Sequence, residues 1–180
     1  QELLGQLTQC GAAANPVTVV LRCQEGSGSE RPCVESIRRT LAGCSGQIVV
    51  VTDRCQGAEW GEDADCLFMD SDTVLPEHAL FWLRMALYGS DRAGTVGSMS
   101  ACVTNSRLSG LVKSAAGPAG LGQLARRVNV PMRYPCEMVP WTKGAAVLVR
   151  RQVLSRVGAP GADFGDGMLL DREYGRKVEA

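Results

Sequence analysis

The stretch Ala64-Asp65-Cys66-Leu67-Phe68-Met69-Asp70-Ser71-Asp72-Thr73-Val74-Leu75-Pro76-Glu77-His78-Ala79-Leu80 decides how this chain is read. Cys66 to Met69 is an apolar run of the length of a buried strand. It ends at two carboxylates, Asp70 and Asp72, that flank a single serine. Pro76 then opens a helix with Ala79, Leu80, Leu83, Ala86 and Leu87 on one side. Such an order places two carboxylates beyond a strand end, close enough to address one site. Their hard oxygens suit magnesium or manganese, which also bind diphosphates.

Outward from this stretch the pattern repeats. Val17 to Leu21 and Ile48 to Val51 are β-branched apolar runs that read as buried strands. Between them Pro32 suits a first helical turn, Val34, Ile37 and Leu41 recur at helical spacing, and Gly43 offers a stop. A strand is expected within Gly94 to Met99 and another over Ala145 to Val149. Arg151 to Val157 reads as a short helix closed by Gly158 and Pro160, and a last helix begins near Asp166. Residues 1–16 form a lead-in. The Gly-, Ala- and Ser-rich stretch 105–133 has little periodicity and reads as a long loop. With no repeat or clear linker, residues 1–180 are expected to form one domain.

Strands alternating with helices predict an α/β fold, a Rossmann-type sandwich with a mostly parallel central sheet flanked by helices. Ligands of such sheets bind outside the carboxyl ends of the strands. The first strand is followed by Arg22 and Glu25, the second by Asp53, the third by Asp70 and Asp72. Several carboxylates gathered at one edge repel one another unless a cation or hydrogen-bond donors are present. A divalent metal and a hydroxyl-rich polar ligand meet that need.

Composition narrows the field. Lysine plus arginine and aspartate plus glutamate stand at 19 each, which gives no electrostatic case for nucleic acid. The pairs Arg38-Arg39, Arg126-Arg127 and Arg150-Arg151 read as solvated helix faces. No stretch approaches the roughly 18 apolar residues of a membrane span, and a cytoplasmic location is expected. Gln1 in place of an initiator methionine fits a domain taken from a longer chain. The eight cysteines include no C-x-x-C pair and only one histidine accompanies them, which argues against zinc and for free thiols. His78 reads as a surface helix residue, and Trp82 with Met85 as packing.

These segments resemble the family 2 glycosyltransferases, which have the GT-A fold. VTVVLRCQEG (17–26) is similar to that family's opening strand and turn, and IVVVTD (48–53) to its second strand. ADCLFMDSDTVLPEHAL (64–80) is similar to its metal-binding D-x-D segment. WTKGAAVLVRRQVLSRVGAP (141–160) resembles the acceptor-side strand and helix, and FGDGMLLDREYG (164–175) the acidic motif that carries the base. The blocks occur in the family's order. The resemblance implies that a sugar passes from a nucleotide-diphosphate donor to an acceptor hydroxyl with inversion, as in a hexosyltransferase. Asp53 would bind the base and Glu25 would lie near the nucleotide. Asp70 would contact ribose or metal, Asp72 would ligate Mn2+ or Mg2+, and Asp166 would take the acceptor's proton. Beside these, the Trp141 ring suits either packing or stacking on a sugar, and Lys143 suits either solvent or a donor phosphate. A UDP-sugar is the first expectation and a GDP-sugar the second. The acceptor would be a glycan, lipid or protein.

Two other readings stay open. LFMDSDTVL also resembles the nucleophile motif of haloacid-dehalogenase-like phosphatases, with Asp70 attacking phosphorus, Lys113 as the intervening lysine and FGDGMLLD (164–171) as the late metal motif. The chain could also be a non-catalytic nucleotide-binding or interaction domain of the same fold.

Overall fold

A computed structural model describes residues 15–23, 30–41, 46–52, 63–98, 117–129, 136, 138–140, 142, 145–160 and 167–179. In chain order the elements are β1 (Val17–Cys23), α1 (Glu30–Leu41), β2 (Gly46–Thr52), β3 (Asp65–Asp70), α2 (Ala79–Tyr88), β4 (Thr95–Gly97), α3 (Gly117–Val128), β5 (Ala146–Val149), α4 (Arg151–Val157) and α5 (Gly167–Glu179). The five strands form one open sheet in the order β2-β1-β3-β5-β4.

The α/β class holds, and the sheet is mixed. β1 pairs in parallel with both β2 and β3, whereas β5 is antiparallel to both β3 and β4. The reversal is visible where β5 begins. β5 starts at the carboxyl end of β3, because Ala146 pairs with Met69 and the Ala145 carbonyl accepts from the Asp70 amide at 3.0 Å. A strand that enters from that edge must run back along β3.

Period-two alternation divides the sheet into two faces. Val17, Val19 and Leu21 of β1, Leu67 and Met69 of β3, and Ala146 and Leu148 of β5 pack on Cys33 and Ile37 of α1 and on Leu80, Leu83 and Leu87 of α2. On the other face lie the buried Thr18, Val20, Cys66 and Val149. Tyr174 of α5 is buried there, and burial, then the nearby Cys66, pushes its hydroxyl up. At the start of β4, a side chain at Gly94 would meet Val178 of α5 at 2.8 Å and Val153 of α4 at 3.0 Å, so these helices seat closely on that corner.

Three details depart from the sequence reading. The helix expected from Pro76 starts at Ala79, because His78 adopts a left-handed conformation (φ 61°) just before it. Within the stretch 105–133, expected as loop, residues 117–128 form α3. Pro118 costs a first turn no hydrogen bond, and Arg126 and Arg127 favour the last turn through the helix dipole, which offsets glycines that mask the periodicity. The third is a buried polar network at the amino end of β3. Asp65 is fully buried; it accepts from the Tyr88 hydroxyl at 2.7 Å and the Arg151 amide at 3.0 Å. Asn15 donates to Tyr88 at 2.7 Å, and the Arg150 guanidinium lies 4.8 Å from the Tyr88 ring centre.

The expected free thiols are observed at Cys33, Cys66 and Cys136. Among the described residues no helix is long and apolar enough to cross a membrane.

The network makes the fold sensitive to alkali. Burial, then the hydrogen bond to Asp65, pushes the Tyr88 hydroxyl up to about 12; burial, then the Asp65 charge, does the same to the Cys66 thiol. For both groups the folded state holds its proton to a higher pH than the unfolded chain does. Their contribution is therefore complete below about pH 9 and is lost as pH rises toward 12. Urea midpoints should fall between pH 9 and 11.5. Tyr88→Phe should start less stable but decline less over that range. Parallel curves for the two proteins would contradict the assignment.

Candidate functional site

Asp70, Ser71, Asp72 and Thr73 form a turn at the carboxyl end of β3, in which the Thr73 amide donates to the Asp70 carbonyl at 3.0 Å. The Ser71 amide donates to the Arg22 carbonyl at 3.0 Å, which extends the β1–β3 ladder by one rung into the turn. Ser71 is buried and Asp72 is exposed. The turn is anchored from behind. The Ser36 hydroxyl of α1 donates to the Cys33 carbonyl at 2.7 Å and accepts from the Leu75 amide at 3.1 Å. The Cys33 thiol lies 3.7 Å from the Asp70 carbonyl. Asp72 is thus carried at the tip of a backbone fixed on three sides, with only a long 3.5 Å contact from the Thr73 hydroxyl to its carboxylate.

Asp70 is not solitary. In the β1–β3 register Arg22 stands directly beside it, and the guanidinium donates to Asp70 Oδ1. Sequence reading placed Arg22 among the polar strand ends but gave it no partner. The available signal was a basic residue closing an apolar strand that pairs with an acid-terminated one.

Of the residues singled out from sequence, the structure brings Asp70 and Asp72 together. Glu25, Asp53, Trp141, Lys143 and Asp166 lie outside the described residues. Their neighbours in the chain are informative. Asp53 directly follows Thr52, which pairs with Cys23 at the ends of β2 and β1, and Glu25 comes two residues after Cys23. Lys143 and Trp141 come two and four residues before Ala145, the residue bonded to the Asp70 amide. Asp166 immediately precedes α5.

Among the described residues no third histidine, cysteine, aspartate or glutamate joins Asp70 and Asp72. Two carboxylates fit a magnesium or manganese ion that takes its remaining oxygens from substrate phosphates and water, as such ions commonly do. They do not fit a closed structural site.

Among the described residues, two cavities lie away from the acidic turn. One, about 290 Å³, is lined by Pro16, Val17, Thr18, Gly46, Gln47, Asp63 and Ala64 at the opposite, amino edge of the sheet. The other, about 250 Å³, lies between α2 and α3 and is lined by Glu77, His78, Phe81, Trp82, Ala125, Arg126 and Asn129. His78 is exposed, as expected, and Trp82 is half-buried against the edge of Phe81.

No protein-family model, curated protein or solved structure matches this chain.

Proposed function

We propose that this chain is a metal-dependent, inverting glycosyltransferase domain of the GT-A type, acting on a nucleotide-diphosphate sugar. The observation that carries the reading is the Asp70-Ser71-Asp72 turn. It stands at the carboxyl end of β3 beside the parallel β1, with Asp72 exposed at its tip and its backbone anchored to α1 and β1. That edge is where open α/β sheets bind ligands.

Asp72 and Asp70 would hold the metal, which neutralises the donor's diphosphate and stabilises it as a leaving group. Asp53 and Glu25 bind the nucleoside side of the donor. Lys143 meets a phosphate, and Trp141 offers an aromatic face to a sugar. Asp166 accepts the proton of the acceptor hydroxyl as its oxygen attacks the anomeric carbon from the side opposite the departing diphosphate. The acceptor is a hydroxyl of a glycan, lipid or protein. The phosphatase alternative needs Asp70 to attack phosphorus, and a carboxylate that already accepts from a guanidinium is a weaker nucleophile.

A thermal-shift panel of nucleotides with and without manganese tests the reading. A ligand at ~100 times its dissociation constant adds about 2.7 kcal/mol. At about 2–4 °C per kcal/mol for a domain of this size, the melting temperature should rise by roughly 5–10 °C. UDP should produce this, with GDP second, and only with the metal. Equal indifference to every nucleotide at millimolar concentration would favour an interaction domain.

A further inference from the structure

Arg22 changes the charge that a ligand meets at the acidic turn. Arg22 and Asp70 are register partners on adjacent parallel strands, so their side chains leave the same face of the sheet. Both are partly exposed, 32% and 37%, and therefore open to a ligand at that edge. The Arg22 carbonyl also receives the Ser71 amide, so backbone and side chain of one residue both engage the triplet. Among the described residues of the turn, two carboxylates and one guanidinium leave a single negative charge, which attracts a divalent cation. Once the cation is in place the same groups carry a single positive charge, which matches a diphosphate. Without the guanidinium those groups would sum to neutral and would hold the phosphates less well.

We infer that Arg22 is a diphosphate-binding residue that exchanges partners. It neutralises Asp70 while the site holds no cation, and turns to the phosphate oxygens of the nucleotide once Asp70 is engaged by one. Its planar fork of donors suits carboxylate and phosphate oxygens alike, so one side chain serves both. The inference rests on the transferase reading and adds to it a residue that the D-x-D motif does not contain.

The test compares wild type with Arg22→Gln, Arg22→Lys and Asp70→Asn. Binding of Mn2+ alone is followed by the loss of its free-ion paramagnetic resonance signal, and binding of UDP at saturating Mn2+ by calorimetry. In Arg22→Gln the two affinities should move in opposite directions. Mn2+ alone should bind several-fold tighter, because a competing positive charge is gone. UDP should bind about 10-fold more weakly or worse, the usual scale for losing a charged hydrogen bond. Arg22→Lys should recover part of the UDP affinity. In the Asp70→Asn background, removing Arg22 should no longer tighten Mn2+. Unchanged UDP affinity in Arg22→Gln, or both affinities falling together as a merely structural role would have it, overturns the inference. A wild-type protein that binds neither Mn2+ nor UDP overturns the transferase reading itself, and the role of Arg22 with it.

Discussion

Replacing Asp72 with alanine should abolish manganese-dependent binding of UDP while leaving the fold intact. Asp72 is exposed, its side chain makes only the long Thr73 contact, and the turn around it is held by backbone bonds that alanine preserves. Surface changes of this kind shift stability by about 0.5 kcal/mol or less. Relief of repulsion from Asp70 could offset even that. The loss of binding should be large. Removing a group that merely supports a metal ligand typically costs ~10–100-fold in affinity, and Asp72 is assigned as a ligand itself. Titration calorimetry with and without Mn2+ checks this: in the variant the two isotherms should coincide. An Asp72→Ala protein that retains the metal-dependent heat removes Asp72 from the site.

The second large effect should come from Asp166→Asn. Asparagine keeps the shape of the side chain but cannot accept a proton, so donor and metal binding should persist while sugar transfer falls by ~10²–10⁴-fold, the usual range for a positioned base. Single-turnover transfer from a UDP-sugar, measured beside calorimetric UDP binding, separates the two steps. Full transfer by Asp166→Asn would dismiss it as the base. Trapping of a covalent beryllium fluoride adduct on Asp70, with no nucleotide present, would establish the phosphatase chemistry instead.

Element by element, the strands were the most legible part of the chain. Val17–Cys23, Gly46–Thr52 and Asp65–Asp70 are β-branched or apolar runs of strand length. Their pairing partners were less so. Nothing within Ala146–Val149 says that this strand lies between β3 and β4 and runs backward, because strand order is a property of long-range packing. α3 escaped notice because glycine and alanine dilute a helical period. Asp65 escaped because a buried acid at a strand start looks like any loop residue until Tyr88 and the Arg151 amide are seen to satisfy it. At the site, the D-x-D turn was legible from spacing. The Arg22 partnership was not, because it depends on which residues fall opposite one another in register.

The position of β5 has a consequence for how the protein is made. β1, β2 and β3 can pair with one another as soon as residues up to 70 have left the ribosome, since every partner in that trio is already present. β4 cannot join them. Among the described strands its neighbour is β5, which is translated after residue 145 and covers the flank of β3. The flank of β3 that β5 covers carries Asp65 and Asp70 at its two ends. Each has a hydrogen bond with the late segment, Asp65 from the Arg151 amide and Asp70 to the Ala145 carbonyl, so both ends of β3 depend on residues translated some 75 positions or more after it.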